Sequence, residues 1–252
     1  MSYLEERTRS LFGRAVHHYG LIRAGDRVAV GLSGGKDSLS LLTLLAERRR
    51  RVPSRFELSA VWVDLGRPGV DGQALAAFCR ELGVELHRVA AEWRPEEVGS
   101  CYACARLRRR RLFEAAAERG CNRLALGHNL DDLLETFFLN LVFNGQASTM
   151  LPREDFFNGR FQVVRPLLLV PADMLGRFAR KRGLPAQTSS CPVGQVSARA
   201  RLRELLKPIY GQHRRARENI WRGLTRLDPD ALPRPAGPGP ANDWEVTWSA
   251  ES

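Results

Sequence analysis

The chain has 252 residues, with 39 Lys+Arg against 28 Asp+Glu for a net charge of +11, and 44% of it is hydrophobic. This length fits one large domain, or one domain with a small appendage, and the apolar share excludes a wholly disordered chain. No apolar run approaches the roughly 20 residues that span a bilayer, and the opening Met1-Ser-Tyr-Leu-Glu-Glu-Arg7 lacks the order of a secretory leader. A soluble, cytoplasmic protein without a membrane partner is expected.

Hydrophobic periodicity predicts alternating helices and strands. A leading amphipathic helix carries Leu4, Leu11, Phe12, Val16 and Tyr19, and a short buried strand follows at 27–33. Then come a helix at 39–48, a strand at 56–64, a helix at 71–83 and a strand at 84–91. A loop leads to Cys101 and a long helix ending near Gly120, followed by a strand at 122–127 and an almost wholly apolar helix at 131–144. A strand at 161–169, a helix at 171–183 and a basic helical stretch at 198–221 complete the body. Such alternation implies an α/β fold, a doubly wound parallel sheet with a C-terminal helical extension. Residues 228–252 hold five prolines, two glycines and five acids against one arginine, so they read as a poorly ordered acidic tail.

Ser33-Gly34-Gly35-Lys36-Asp37-Ser38 joins the first strand to its helix, the place where an open α/β sheet receives a ligand. Glycines let backbone amides turn around an oxyanion, and the helix N-terminus adds favourable partial charge. The serine hydroxyls can donate hydrogen bonds, and Lys36 can neutralise phosphate. A Walker A loop does not fit, because it needs glycine at Val30 and Ser or Thr at Asp37. The plainer reading is a glycine turn with Asp37 or Ser38 capping the helix.

This strand–SGGKDS–helix unit resembles the PP-loop of the ATP pyrophosphatase superfamily. Its members cleave ATP between the α and β phosphates, adenylate a carbonyl oxygen and let a nucleophile displace AMP. The resemblance implies that Ser33, Gly34, Gly35, Lys36, Asp37 and Ser38 hold ATP, and that Asp64, ending the second strand, lies where the nucleotide is held. Gly127-His128-Asn129-Leu130-Asp131-Asp132 resembles the second signature of these enzymes, GHxxDD, and adds Gly127 and His128 to that site. On chemistry alone, Gly127 permits close backbone approach and the paired carboxylates can hold Mg²⁺ or accept protons. Alternatively, Asn129 or Asp131 caps a helix. This segment is expected at a strand end two strands from the Gly34 loop.

Cys101 and Cys104 form a CxxC at a helix start, where the dipole favours thiolates, and Cys191 stands far downstream. A redox pair, a structural zinc site and an iron–sulfur cluster compete. Zinc normally wants four ligands with a second close pair, whereas three thiolates suit a [4Fe–4S] cluster with one open iron; the chemistry leaves these two near even. The run Cys-x-x-Cys-x-Arg-Leu-Arg-Arg, then GHxxDD, then a later single cysteine, resembles the tRNA 2-thiocytidine synthetase family, the tRNA-cytidine 2-sulfurtransferases. The resemblance covers about residues 20–210. It implies a [4Fe–4S] cluster on Cys101, Cys104 and Cys191 and thiolation of a cytidine in the tRNA anticodon loop. One departure is visible: the family's PCxLCGSQ stands here as Ser189-Ser190-Cys191-Pro-Val-Gly194-Gln195, with one cysteine instead of two. Cys79 and Cys121 read as small buried hydrophobes.

Arg106, Arg109 and Arg110 share one face of the helix after the CxxC, and Arg108 and Arg111 another. One face could meet the triphosphate or a polarised base oxygen and the other an RNA backbone, unless both are simply solvated. Arg199, Arg201, Arg203, Lys207, Arg214, Arg215 and Arg217 form a second basic stretch suited to phosphate contacts. Tyr210 and Trp221 either stack on a base or pack in the core.

These readings lead to an ATP-dependent tRNA sulfurtransferase in which Asp37, Asp132 and Arg108 are catalytic and Asp37 or Asp132 helps hold Mg²⁺. Its sulfur donor is sulfide or a persulfide carrier. The expected organisation is an N-terminal helix (1–20), a PP-loop domain with the CxxC insertion (21–195), a basic helical extension (196–227) and the tail (228–252). The apolar helix is either sandwiched within the domain or forms the interface of a homodimer. The rivals are a PP-loop enzyme acting on another base or a small molecule, and a nucleotide-binding regulatory protein with structural zinc.

Overall fold

Six strands form one sheet in the order β3-β2-β1-β4-β6-β5 in the computed structural model. It describes residues 2–66, 69–91, 101–187 and 198–226, and for residues 101 and 102 the backbone alone. The chain runs through α1 (Tyr3–His18), β1 (Arg27–Leu32), α2 (Lys36–Arg51), β2 (Glu57–Asp64), α3 (Gly72–Glu81), β3 (Glu85–Ala90) and α4 (Cys101–Glu118). It continues through β4 (Arg123–Ala125), α5 (Leu130–Asn144), β5 (Arg153–Phe156), β6 (Phe161–Val164), α6 (Ala172–Lys181), α7 (Ala198–Gln212) and α8 (Ala216–Thr225). Every strand pair is parallel except β5 with β6.

Both faces of the sheet are apolar, as a parallel sheet covered by helices requires. Val28, Val30 and Leu32 of β1 and Leu58, Ala60 and Trp62 of β2 join the core beneath α1, α2, α3 and α6. The alternate residues Ala29, Val61 and Val63 face the second core, beneath α4. This period of two is the strand geometry itself. Helix α2 is buried from Ser38 through Ala46, and its Ser40 and Thr43 hydroxyls bond back to the carbonyls of Lys36 (2.6 Å) and Leu39 (2.9 Å), so neither hydroxyl is stranded in the core.

Three elements differ from expectation. The strand expected over 161–169 stops at Val164; Leu167 and Leu168 are fully buried, but in turns, so their apolar run marks core and not strand. Strand β5, Arg-Glu-Asp-Phe, has no apolar alternation to announce it. The basic stretch is two helices, α7 and α8, broken at residues 213–215. The tail 228–252 lies outside the described residues.

The chain leaves β1 toward β2 and β3, then returns to place β4 on the other flank of β1, with Val30 opposite Ala125. This reversal is a topological switch point, where the loops after two adjacent strands diverge and open a crevice. The SGGKDS and GHxxDD segments therefore leave neighbouring strands, not strands two apart. At the opposite strand ends, Asp26 accepts from the Arg23 amide (2.6 Å), Asn122 Nδ2 (2.9 Å) and Arg123 Nε (3.0 Å). Asp26 and Arg123 are both buried. Asp26→Ala would leave the Arg123 guanidinium without its carboxylate, so it should cost about 3–5 kcal/mol in urea unfolding. A loss below about 1 kcal/mol, the scale of a surface pair, would show that the pair does not hold the strand entrance together.

Candidate active site

Ser33, Gly34 and Gly35 link the end of β1 to the start of α2. Gly34 has φ +77°, and a Cβ there would meet Val70 Cγ1 at 3.1 Å, so both conformation and space call for glycine. The serines brace the loop: Ser33 N donates to Ser38 Oγ (3.2 Å), the two hydroxyls lie 3.1 Å apart, and Ser38 Oγ donates to Gly35 O (3.0 Å). Lys36 Nζ pairs with Asp37 Oδ1 at 2.7 Å. The N-cap of α2 is Gly35 and no side chain caps it. Neither Asp37 nor Ser38 serves as that cap, and the first-turn amides remain available to an anion.

Gly127 follows β4 and packs directly on this loop. A Cβ on it would lie 3.0 Å from Ser38 N and 3.1 Å from Asp37 C and Ser38 Cα. Helix α5 begins with a reciprocal cap, in which Asn129 Oδ1 accepts from Asp132 N (3.2 Å) and Asp132 Oδ2 from Asn129 N (3.0 Å). Asn129 is thus the helix cap that the plainer reading proposed. Asp132 does more than complete the capping box. Burial pushes its carboxyl up to about 6, and the nearby Glu135 and Asp37 carboxylates push the same way, against the Asn129 amide. Asp131 has a different task, accepting from Ala172 N (2.7 Å) and Arg217 Nε (2.8 Å) and so tying α6 and α8 to α5.

His128 Nδ1 accepts from Arg165 Nε at 3.3 Å, which leaves the imidazole proton on Nε2. Burial pushes its pKa down to about 3, helped by the charges of Arg165, Arg109, Arg199 and Arg108, so His128 is a neutral donor. Arg165 itself is 1% exposed and also holds Leu151 O and Glu154 (2.8 Å). Asp64 sits at the end of β2, but its carboxylate is occupied by Arg88 Nη2 (2.6 Å) and Nε (2.9 Å) and by Gly66 N (2.9 Å).

Cys101 opens α4 and Cys104 lies partly buried in its first turn; Cys191 lies outside the described residues. Cys79 is fully buried, and burial pushes its thiol up to about 11. Cys121 touches Ser59 Oγ at 3.8 Å, near the opposite strand ends. The arginine faces divide differently from the spacing argument. Arg110 and Arg111 both pair with Glu114 (2.7 and 3.1 Å), because Glu114 stands one turn beyond each of them. The charges of Arg108 and Arg109 instead reach His128.

The second basic stretch is also divided. Arg203 grips the buried Glu135 through two bonds (2.6 and 2.9 Å), and Arg199 donates to Thr136 Oγ1 (2.9 Å). These arginines dock α7 on α5. Sequence reasoning missed Glu135, Arg165 and Gln187, whose amide donates to Gly34 O at 2.9 Å while its side chain pairs with the Asp71 backbone. An acid inside an apolar helix is the signal that could have exposed Glu135.

A family model described as a PP-loop domain matches residues 4–209. The tRNA-cytidine(32) 2-sulfurtransferase of Geobacter sulfurreducens is 39% identical over 236 residues, covering 90% of this chain and 92% of that one. The enzyme of the same name from Pelobacter propionicus is 39% identical, with 91% and 88% covered. The chain belongs to the PP-loop tRNA-cytidine 2-sulfurtransferase family. A solved structure, the U34-tRNA thiolase NcsA from Methanococcus maripaludis with its [4Fe–4S] cluster, superposes with a TM-score of 0.74 at 27% identity. That match covers 89% of this chain and 79% of the thiolase.

For this member of the 2-sulfurtransferase family, the electrostatics of Asp132 are directly measurable. Folded Asp132 keeps its proton to about 6, whereas an unfolded aspartate ionises near about 3.9. Stability therefore falls as pH rises across that window, and the full penalty, about 2–3 kcal/mol, is present above it. Asp132→Asn should raise the unfolding free energy by that amount near pH 8, show no gain below about pH 4, and abolish ATP turnover. A gain independent of pH would sink this account.

Proposed function

We propose that this protein adenylates and then thiolates carbon 2 of a cytidine in the anticodon loop of tRNA. It is an ATP-dependent tRNA sulfurtransferase, forming AMP and pyrophosphate. The observation that carries the reading is the backbone contact of Gly127 with Asp37 and Ser38, which sets an uncapped helix N-terminus against the Asp132 carboxyl.

In this reading the first-turn amides of α2 and Lys36 bind the β- and γ-phosphates, while Asp37 and Asp132 hold Mg²⁺. His128 offers Nε2–H to the α-phosphate. The cytidine O2 attacks the α-phosphorus, the bond to the β-phosphate breaks and pyrophosphate leaves with its electron pair. Arg108 and Arg109 stabilise the developing charge. Cys101 and Cys104 stand one turn apart at a helix N-terminus, where thiolates are favoured, and so fit two ligands of a [4Fe–4S] cluster. Cys191 is the third in this proposal. A cluster held by these cysteines would supply the iron-based sulfur chemistry of the thiolation step. Sulfide attacks carbon 2 and AMP departs with the adenylated oxygen; a persulfide carrier would serve only with a thiol that supplies two electrons and releases its outer sulfur as sulfide.

Leu133 and Leu134 of α5 are sandwiched within the domain, whereas Leu141, Val142 and Phe143 at its far end are exposed. That exposed end supports pairing of two copies, and sedimentation of a monomer at micromolar concentration would remove the idea.

Substituting Cys101, Cys104 or Cys191 by Ala in anaerobically purified protein should abolish both the visible charge-transfer absorption and tRNA thiolation, and leave ATP binding intact. Cys79→Ala and Cys121→Ala should cost only about 1–2 kcal/mol of stability. About four irons with acid-labile sulfide per chain are expected; a single zinc and no iron would favour the regulatory alternative.

A further inference from the structure

Beside the phosphate loop, a partly open cavity of about 340 Å³ is lined by residues of α2, α5, α6, α7 and α8. One of the residues that line it carries a polar atom with no use in the fold: the Tyr210 hydroxyl is buried and has no hydrogen-bond partner among the described residues. The ring is held in place, with the Arg217 guanidinium 4.1 Å from its centroid. Burial pushes the phenol up to about 12, and the charges that act on it, Asp131, Arg217 and Glu135, all line the cavity. The hydroxyl therefore keeps its proton, a donor without an acceptor on a residue that lines the cavity.

The rest of the lining defines the acceptor. Asp131 and Glu135 are already neutralised by Arg217 (2.8 Å) and Arg203 (2.6 Å). Asp37 and Lys36 hold each other at 2.7 Å, a partly exposed pair that a cation and an anion can divide between them; Asp132 adds a second carboxylate for a divalent cation and Lys207 a second ammonium for an anion. Among the described residues Lys207 pairs with Glu204, and both side chains are exposed, at 63% and 66%, so this weak surface pair is easily exchanged. A cation with a compact, highly charged oxyanion satisfies both sides, which describes a magnesium-bound polyphosphate.

We propose that Tyr210 and Lys207 of α7 grip the terminal phosphates of ATP and the magnesium pyrophosphate released from it. The inference rests on the adenylation reading and assigns to α7 a role in leaving-group binding that its basic composition attributes to RNA. As the α-phosphorus–oxygen bond breaks, the electron pair goes to the pyrophosphate oxygen. The Tyr210 O–H and Lys207 N–H groups stabilise that charge without giving up a proton.

The test is calorimetric titration of the full-length protein with magnesium pyrophosphate, ATP and AMP. It compares wild type, Tyr210→Phe, Lys207→Met and the remote control Tyr3→Phe, which alters an exposed residue of α1. Each α7 variant should lose about ten-fold in pyrophosphate affinity, the scale of one hydrogen bond to a charged group. AMP affinity and the control should not change. Because Tyr210→Phe removes an unpartnered buried hydroxyl, its Tm should be no lower than wild type. A lower Tm with unchanged pyrophosphate affinity makes Tyr210 a packing residue and overturns the inference. Weakened tRNA binding with unchanged pyrophosphate affinity overturns it too, in favour of an RNA surface. Wild type that binds neither ATP nor pyrophosphate overturns the adenylation reading itself.

Discussion

The whole site depends on one steric constraint, the approach of Gly127 to the backbone of Asp37 and Ser38, where a single methyl group would lie about 3.0 Å from Ser38 N. That approach brings the N-termini of α2 and α5 together at the switch point. Two helix ends of the same sign converge there, and the chain treats them differently. Helix α5 closes its own end with the Asn129–Asp132 box, whereas α2 leaves its amides open. One end keeps its amides open to anionic oxygen, and the other projects a carboxyl beside it. The opposition of Asp37 and Asp132 follows from the same contact.

Much of this was legible in the sequence because the demands are local. A tight loop after a strand and a close backbone approach require glycine at 34 and 127, and the alternation of β1 and β2 follows from burial on both faces. What was hidden depends on distant partners. Glu135 lies 68 residues from Arg203, and His128 lies 37 from Arg165. A run of arginines gives no hint of which member will meet a buried acid, so Arg199 and Arg203 read as a phosphate-binding face. Strand β5 left no periodic trace. The segment after β4 shows a different limit, since helix capping and chemistry looked like alternatives, and Asp132 both closes the capping box and carries a carboxyl raised to about 6.

Polar burial is distributed unevenly. At the entrance to the strands, Asp26, Asn122 and Arg123 satisfy one another, and Arg165 is bonded on several sides. At the exit, a carboxyl held up near 6 and a phenol without a partner line one cavity. Such groups cost stability in an isolated fold, and a raised carboxyl and an unpartnered phenol on one cavity are the pattern of a binding site, while Arg9 Nη1 and Gln162 Oε1 are isolated cases elsewhere among the described residues. The fold is secured at one end of the sheet so that the other can remain electrostatically tense.

The pairing of α5 with α7 and α8 also sets an order on biosynthesis. Asp131 and Glu135 leave the ribosome well before Arg217 and Arg203, which follow 86 and 68 residues later. Domains form from the N-terminus as the chain emerges, and a helix carrying two acids beside Leu133 and Leu134 docks poorly until its cations arrive. The nascent chain can assemble its first strands early, but the nucleotide end stays unfinished until α8 has been made. A product truncated before α7 would therefore carry Asp131 and Glu135 without the guanidinium groups that neutralise them.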